Sequence, residues 1–180
     1  MKIKFTLLFS LIIFIQLNLC AQDFEVAPVV MQFKTNPGET ESRVLTVKNY
    51  YAETQKFTLN LVDYTLDDQG NKHSASLGST ERSLANRLIV NPSVVELKPN
   101  ESAEIEVIMT VPKTDSKTRW GMIQVQVAKE KTTADADKNM ATGVIIIPRI
   151  VVIVTQSPAN NTNFAASVES LKEIDPDENG

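Results

Sequence analysis

Ser102-Ala103-Glu104-Ile105-Glu106-Val107-Ile108-Met109-Thr110-Val111 decides the fold. Ala103, Ile105, Val107, Met109 and Val111 recur at every second position, with Glu104, Glu106 and Thr110 between them. A period of two places the apolar set on one face of a strand and the polar set on the other. The glutamates, with Glu101 before them, read as a solvated strand face. Lys98-Pro99-Asn100 turns the chain into this strand.

Working outward, the same signals recur. Phe24 to Phe33 reads as a first strand, and Pro28 within it suits a sheet edge. Asn36-Pro37-Gly38 is a turn, and Arg43 to Asn49 a second strand. Gln55 to Leu66 is a third, with Phe57, Leu59 and Leu61 on one face. Asp67-Asp68-Gln69-Gly70-Asn71 is a polar turn, and a loop runs on to Ser83 with a helical turn near Glu81. Arg87–Val90 and Val94–Leu97 are short extended pieces broken by Pro92. Arg119 to Lys129 is a strand with Ile123, Val125 and Val127 on one face. Residues 130–142 are small, polar and charged, which predicts a long loop. Val144 to Thr155 is the last and most apolar strand. The turn Asn36-Pro37-Gly38-Glu39 echoes Lys98-Pro99-Asn100-Glu101, as successive hairpins of one sandwich would. The expected fold is all-β, an immunoglobulin-like sandwich of about seven strands.

The ends carry separate signals. Lys2 and Lys4 precede an apolar run from Phe5 to Leu19, closed by Cys20-Ala21. This is the order of an export signal, and cleavage after Ala21 is expected. The run is shorter than the roughly 20 residues of a spanning helix. Lipidation of Cys20 is the alternative and the one route to membrane association. The expected organisation is a signal peptide over 1–21, a sandwich over 22–156, and a linker with a possible first strand of a second domain over 157–180. Gln156-Ser157-Pro158-Ala159-Asn160-Asn161 forms the linker and Phe164–Leu171 the strand. The other reading of this end is a disordered tail.

Charge and composition exclude several functions. Without Lys2 and Lys4, 16 basic residues face 22 acidic ones, the wrong sign for a nucleic-acid partner. The single Cys lies in the signal, so the mature chain has no thiol, disulfide or cysteine metal site. His73 stands in a polar loop with no second His to share a metal, and reads as a solvated loop residue. Asp67, Asp68 and Asn71 lack the ligand alternation and distal Glu of a calcium loop and read as a plain turn. Asp135 and Asp137 fall in the long loop. No Cys–His or Ser–His arrangement and no Gly-rich phosphate loop is legible, so neither enzyme nor cofactor is expected. Trp120 is expected in the core, with a surface aromatic as the alternative.

The candidate site is the last strand. From Val144 to Val154 nearly every residue is Val or Ile, on both faces, whereas an antiparallel sandwich wets one face. Arg149 marks the wet face, because an unpaired charge is rarely buried. Ile145, Ile147, Val151 and Ile153 share its parity. Pro148 cannot donate to a ladder, which favours an edge or a bulge. An exposed apolar edge invites strand addition by a protein client, with backbone bonds giving affinity and alternate side chains specificity. The alternative is that another segment covers this row.

Between Phe24 and Thr155 the chain resembles the N-terminal domain of the periplasmic pilus-assembly chaperones. The motifs are Phe24-Glu25-Val26-Ala27-Pro28, the Pro-Gly-Glu turn before Val44-Leu45-Thr46-Val47-Lys48-Asn49, Ile89-Val90-Asn91-Pro92, and Val95-Glu96-Leu97-Lys98-Pro99-Asn100-Glu101-Ser102. It is similar also to immunoglobulin-like domains of Gram-positive surface proteins that bind cell wall and envelope partners. The resemblance implies a periplasmic or cell-surface protein that binds a client or an envelope protein. In the chaperones an Arg of the first strand and a Lys of the last anchor a client's terminal carboxylate. Here those strands read Val29-Val30-Met31-Gln32-Phe33 and Pro148-Arg149-Ile150-Val151-Val152-Ile153, so the anchor is not carried over and a different client is implied. The second expectation is a structural or adhesion module that holds cell-wall polymer or a neighbouring envelope protein without strand addition.

Overall fold

A computed structural model describes residues 23–128, 147–159 and 161. The signal segment with Cys20, the loop 130–142, the strand start 144–146 with Ile145, and the strand expected over 164–171 lie outside the described residues. Within them are ten strands in two sheets. The smaller sheet has the order β1 (Phe24–Ala27), β3 (Thr40–Asn49), β8 (Ser102–Thr110), β6 (Leu88–Asn91), all antiparallel. The larger runs β2 (Val30–Phe33), β10 (Arg149–Gln156), β9 (Arg119–Val127), β4 (Gln55–Leu66), with β5 (Lys72–Ala75) and β7 (Val94–Leu97) on the far side of β4. The β2–β10 pair is parallel and the other pairs antiparallel. This is an immunoglobulin-like β-sandwich.

Alternation builds the core. Ile105, Val107 and Met109 of β8 and Val111 after it are buried, as the period of two requires. They meet Leu45 and Val47 of β3 and, across the sandwich, Phe57 and Leu59 of β4, Ile123 and Val125 of β9, and Val152 and Val154 of β10. Asn49 is the one amide at the end of this row and is fully buried. Its Nδ2 donates to Glu53 O and Leu97 O, both at 2.9 Å, and its Oδ1 accepts from Tyr51 N–H. A side chain of β3 in one sheet thereby ties down the end of β7 in the other.

Two expectations are corrected, the single first strand and the loop after Asp67. The run Phe24–Phe33 is two strands, not one: β1 pairs with β3, the chain crosses at Pro28-Val29, and β2 pairs with β10 in the other sheet. The two pieces expected on either side of Pro92 are separate strands in different sheets, β6 pairing with β8 and β7 with β4. A proline has no N–H to give a ladder, so each break falls where the chain leaves one sheet for the other. The loop from Asp67 to Ser83 contains β5, paired with β4 from Asp63↔Ala75 to Leu66↔Lys72. The described residues thus hold ten strands where about seven were expected from sequence.

Candidate functional site

β10 carries the candidate row. Ile150, Val152, Val154 and Gln156 point inward, the last three buried; Arg149, Val151, Ile153 and Thr155 point outward. Arg149 is exposed and Val151 and Ile153 are half-buried. Ile147, two residues before Arg149, is 43% exposed. Three of the five candidates, Arg149, Val151 and Ile153, therefore share one face of β10, and Ile147 is exposed just before the strand; Ile145 lies outside the described residues.

The edges of β10 differ along its length. On one side β9 pairs with all of it, from Arg149↔Gln126 to Gln156↔Arg119. On the other, β2 pairs only from Ile153↔Val30 to Gln156↔Phe33. The expected edge strand is thus an edge in its first half and an interior strand in its second. Among the described residues, Arg149–Val152 have a ladder partner on the β9 side alone. Alternate residues of a strand address opposite neighbours. Ile153 N–H donates to Val29 O at 2.9 Å and Ser157 N–H to Phe33 O at 3.0 Å, so the odd-numbered residues face β2. The backbone groups of Arg149 and Val151 then face the unpaired side, and the same residues place their side chains on the outer face. Where this open stretch ends, the outer-face pair is apolar: Val30, 51% exposed, beside Ile153. Gln156 secures the closed half, its buried Nε2 donating to Thr35 O at 3.0 Å.

The rest of the outer face is partly covered. In β9, Met122 and Gln124 alternate outward yet are only 4% and 7% exposed. Gln124 Nε2 donates to Ser74 Oγ at 2.7 Å, which brings β5 over this side of β9. Trp120 stands in the same outward row and is half-buried, correcting the expectation that it joins the core. Its ring lies 6.4 Å from that of Tyr64, and the Arg82 guanidinium sits 5.6 Å from its centre. Gly121, beside it, has no Cβ where Leu84 enters the core; one would lie 3.3 Å from Leu84 Cδ1 and 3.2 Å from Val62 O.

Three carboxylates hold turns and segments in place. His73 is exposed and lies in β5, not a loop, with Nε2 2.9 Å from Asp67 Oδ2. Hydrogen bonds from His73 and Asn71 hold the Asp67 carboxyl at about 2. Its oxygens close the hairpin, as a plain turn requires. Two acids escaped the sequence reading. Asp63 is fully buried and accepts from Thr80 N–H, Thr80 Oγ1 and Ser83 Oγ. Its signal was present, because it continues the inward row of Phe57, Leu59 and Leu61. Asp115 accepts from Arg119, four residues on, and from Arg87, 28 residues back, and the distant half of this pairing has no local signal. Among the described residues no group of three His, Cys, Asp or Glu could hold a metal.

No protein-family model matches the chain, and no curated protein matches it. Solved structures do. A chaperone–tip adhesin complex of CFA/I fimbriae biogenesis superposes with a TM-score of 0.55 at 15% identity, covering 77% of this chain. The class 5 fimbriae chaperone CfaA gives 0.52 at 14%, covering 76%. The CsuC–CsuE chaperone–tip adhesion subunit pre-assembly complex of Acinetobacter baumannii Csu pili gives 0.50 at 12%, also covering 76%. The chain spans 57% of the length of each of these structures. At such identities the likeness is one of fold.

Proposed function

We propose that this chain is a non-catalytic, chaperone-like binding domain that is exported to the periplasm and captures an extended segment of a protein client along the open half of β10. The observation that carries the reading is the short β2–β10 ladder, which begins at Val30↔Ile153 and, among the described residues, leaves Arg149–Val152 paired on one side. An added strand satisfies the outward N–H and C=O groups there and lays alternate side chains beside Arg149 and Val151. Ile147 and Ile153 extend the contact with side chains, while the Ile153 backbone is already held by β2. The fold likeness to pilus chaperones, two of them in complexes with tip adhesin subunits, supports a protein client. The second reading is a structural or adhesion module that holds cell-wall polymer or a neighbouring envelope protein without strand addition.

Val151→Pro tests the reading. It removes an N–H that faces the open side, and proline is tolerated at such positions. A capped seven-residue peptide alternating valine and threonine is titrated into the isotope-labelled protein. The expected result is amide shifts centred on Arg149–Val152 in the parent and their loss in Val151→Pro, with Val44→Thr on the other sheet without effect. Shifts that survive Val151→Pro, or centre elsewhere, refute strand capture at this site.

A further inference from the structure

We infer that the open half of β10 selects its client segment by charge: it takes an extended stretch with a carboxylate side chain beside Arg149 and an apolar side chain, two residues away, beside Val151. This rests on the strand-capture reading and adds the chemistry of what is captured.

Three observations carry it. First, Arg149 is the one charged side chain among the outward positions of β2, β9 and β10. Second, among the described residues its side-chain bond is to a neutral group, Nε donating to Gln126 Oε1 at 3.0 Å. A guanidinium has five N–H donors, so most of its capacity faces solvent. Among the described residues three of the other four arginines hold carboxylates, Arg43 with Glu41 and Arg87 and Arg119 with Asp115; Arg82 donates to Thr118 O and lies over the Trp120 ring. Third, the next outward position of β10 and the exposed residue two before Arg149 are both apolar. Ile147 is 43% exposed two residues before it, and Val151 stands half-buried two residues after it.

Same-face neighbours on adjacent strands have Cβ atoms about 5 Å apart, and successive same-face positions are two residues apart. An added strand in either direction therefore offers one side chain to Ile147, the next to Arg149 and the next to Val151. The complementary order is apolar, acidic, apolar, with any residue between. The far end of the stretch meets Val30 and Ile153, where no charge awaits it. The next cation along the line of β2 is Lys34, four residues on and about 13 Å away at strand rise.

The test uses three end-capped seven-residue peptides of alternating valine and threonine, the central position being glutamate, glutamine or lysine. Affinities are measured by calorimetry at low salt against the whole mature chain. The glutamate peptide is expected to bind about three- to tenfold more tightly than the lysine peptide, a gap that narrows with added salt. Arg149→Glu should reverse the order, and Arg149→Gln should remove it. Both substitutions are at an exposed side chain, so folding is retained and is checked by circular dichroism. Equal binding of the three peptides to the parent overturns charge selection and leaves strand capture standing. Binding of none of them overturns both. A preference for glutamate that persists in Arg149→Glu also overturns the inference, since some other cation would then be its source.

Discussion

Asp115→Ala takes away the acceptor shared by two arginines from different segments. Asp115 Oδ2 lies 2.8 Å from Arg87 Nε and 2.7 Å from Arg87 Nη2, and it also accepts from Arg119 Nε. The carboxylate is 8% exposed and the two guanidinium side chains 20% and 13%. Each charge-assisted bond contributes about 1.5–3 kcal/mol, and breaking a largely buried pair leaves charges that water reaches only in part. The expected loss is about 3 kcal/mol, or about 10 °C in Tm for a sandwich of this size. Asp115→Asn keeps an acceptor without the charge and should lose about half as much. Urea and thermal unfolding followed by circular dichroism give both values. Acid adds a second signature. Burial raises the Asp115 carboxyl, but hydrogen bonds from Arg119, the Lys117 N–H and Arg87 outweigh it and hold the group at about 2 against an ordinary 3.8. A lowered folded-state pKa means that the unfolded chain takes up the proton first as pH falls. The stabilisation is complete above about pH 4 and is lost on the way down through about pH 2. Allowing for solvent at its exposed edge, that component is about 1–2 kcal/mol. It should be present in the parent and absent in Asp115→Asn. An Asp115→Ala protein within about 0.5 kcal/mol of the parent, or identical acid profiles for parent and Asp115→Asn, would refute the assignment of Asp115 as the clamp.

Two further substitutions probe the frame that holds β10. Asn49→Ala strips four hydrogen bonds from a fully buried site and should cost about 3 kcal/mol by urea denaturation, whereas a surface control such as Val44→Thr should stay within about 0.5 kcal/mol. Gly38→Ala should cost about 1–2 kcal/mol in thermal unfolding: Gly38 has φ +88°, and a Cβ there would lie 3.0 Å from Lys113 Cγ. Because the backbone conformation is the larger cause, Lys113→Ala should not restore it.

Strong alternation was readable and weak or composite signals were not. β8 and β4 follow from their inward rows alone, and Arg149 gave the parity of β10 before any contact was known. The two changes of sheet were hidden, because a strand that crosses from one sheet to the other keeps its apolar pattern on both sides of the break. Pro28 and Pro92 mark the breaks without saying where the chain goes next. β5 was invisible because Lys72-His73-Ser74-Ala75 has no apolar face of its own; it is held by its ladder to β4 and by Gln124. That same cover explains Trp120, Met122 and Gln124, which alternation sends outward and which β5, Tyr64 and Arg82 then shield. At the candidate site the row of side chains was legible, but the extent of the open edge was not. It depends on where β2 begins, and that is set by a pairing between residues more than 100 positions apart.

The most direct test of the central claim is amide hydrogen exchange in β10, resolved residue by residue, in the free protein and with the alternating valine–threonine peptide. The account predicts fast exchange at Arg149 and Val151 and slow exchange at Val152, Ile153 and Val154 in the free protein, with Arg149 and Val151 slowing when the peptide is added. Full protection of Arg149 and Val151 in the free protein would contradict it, for that edge would already be paired and no client strand could be added there.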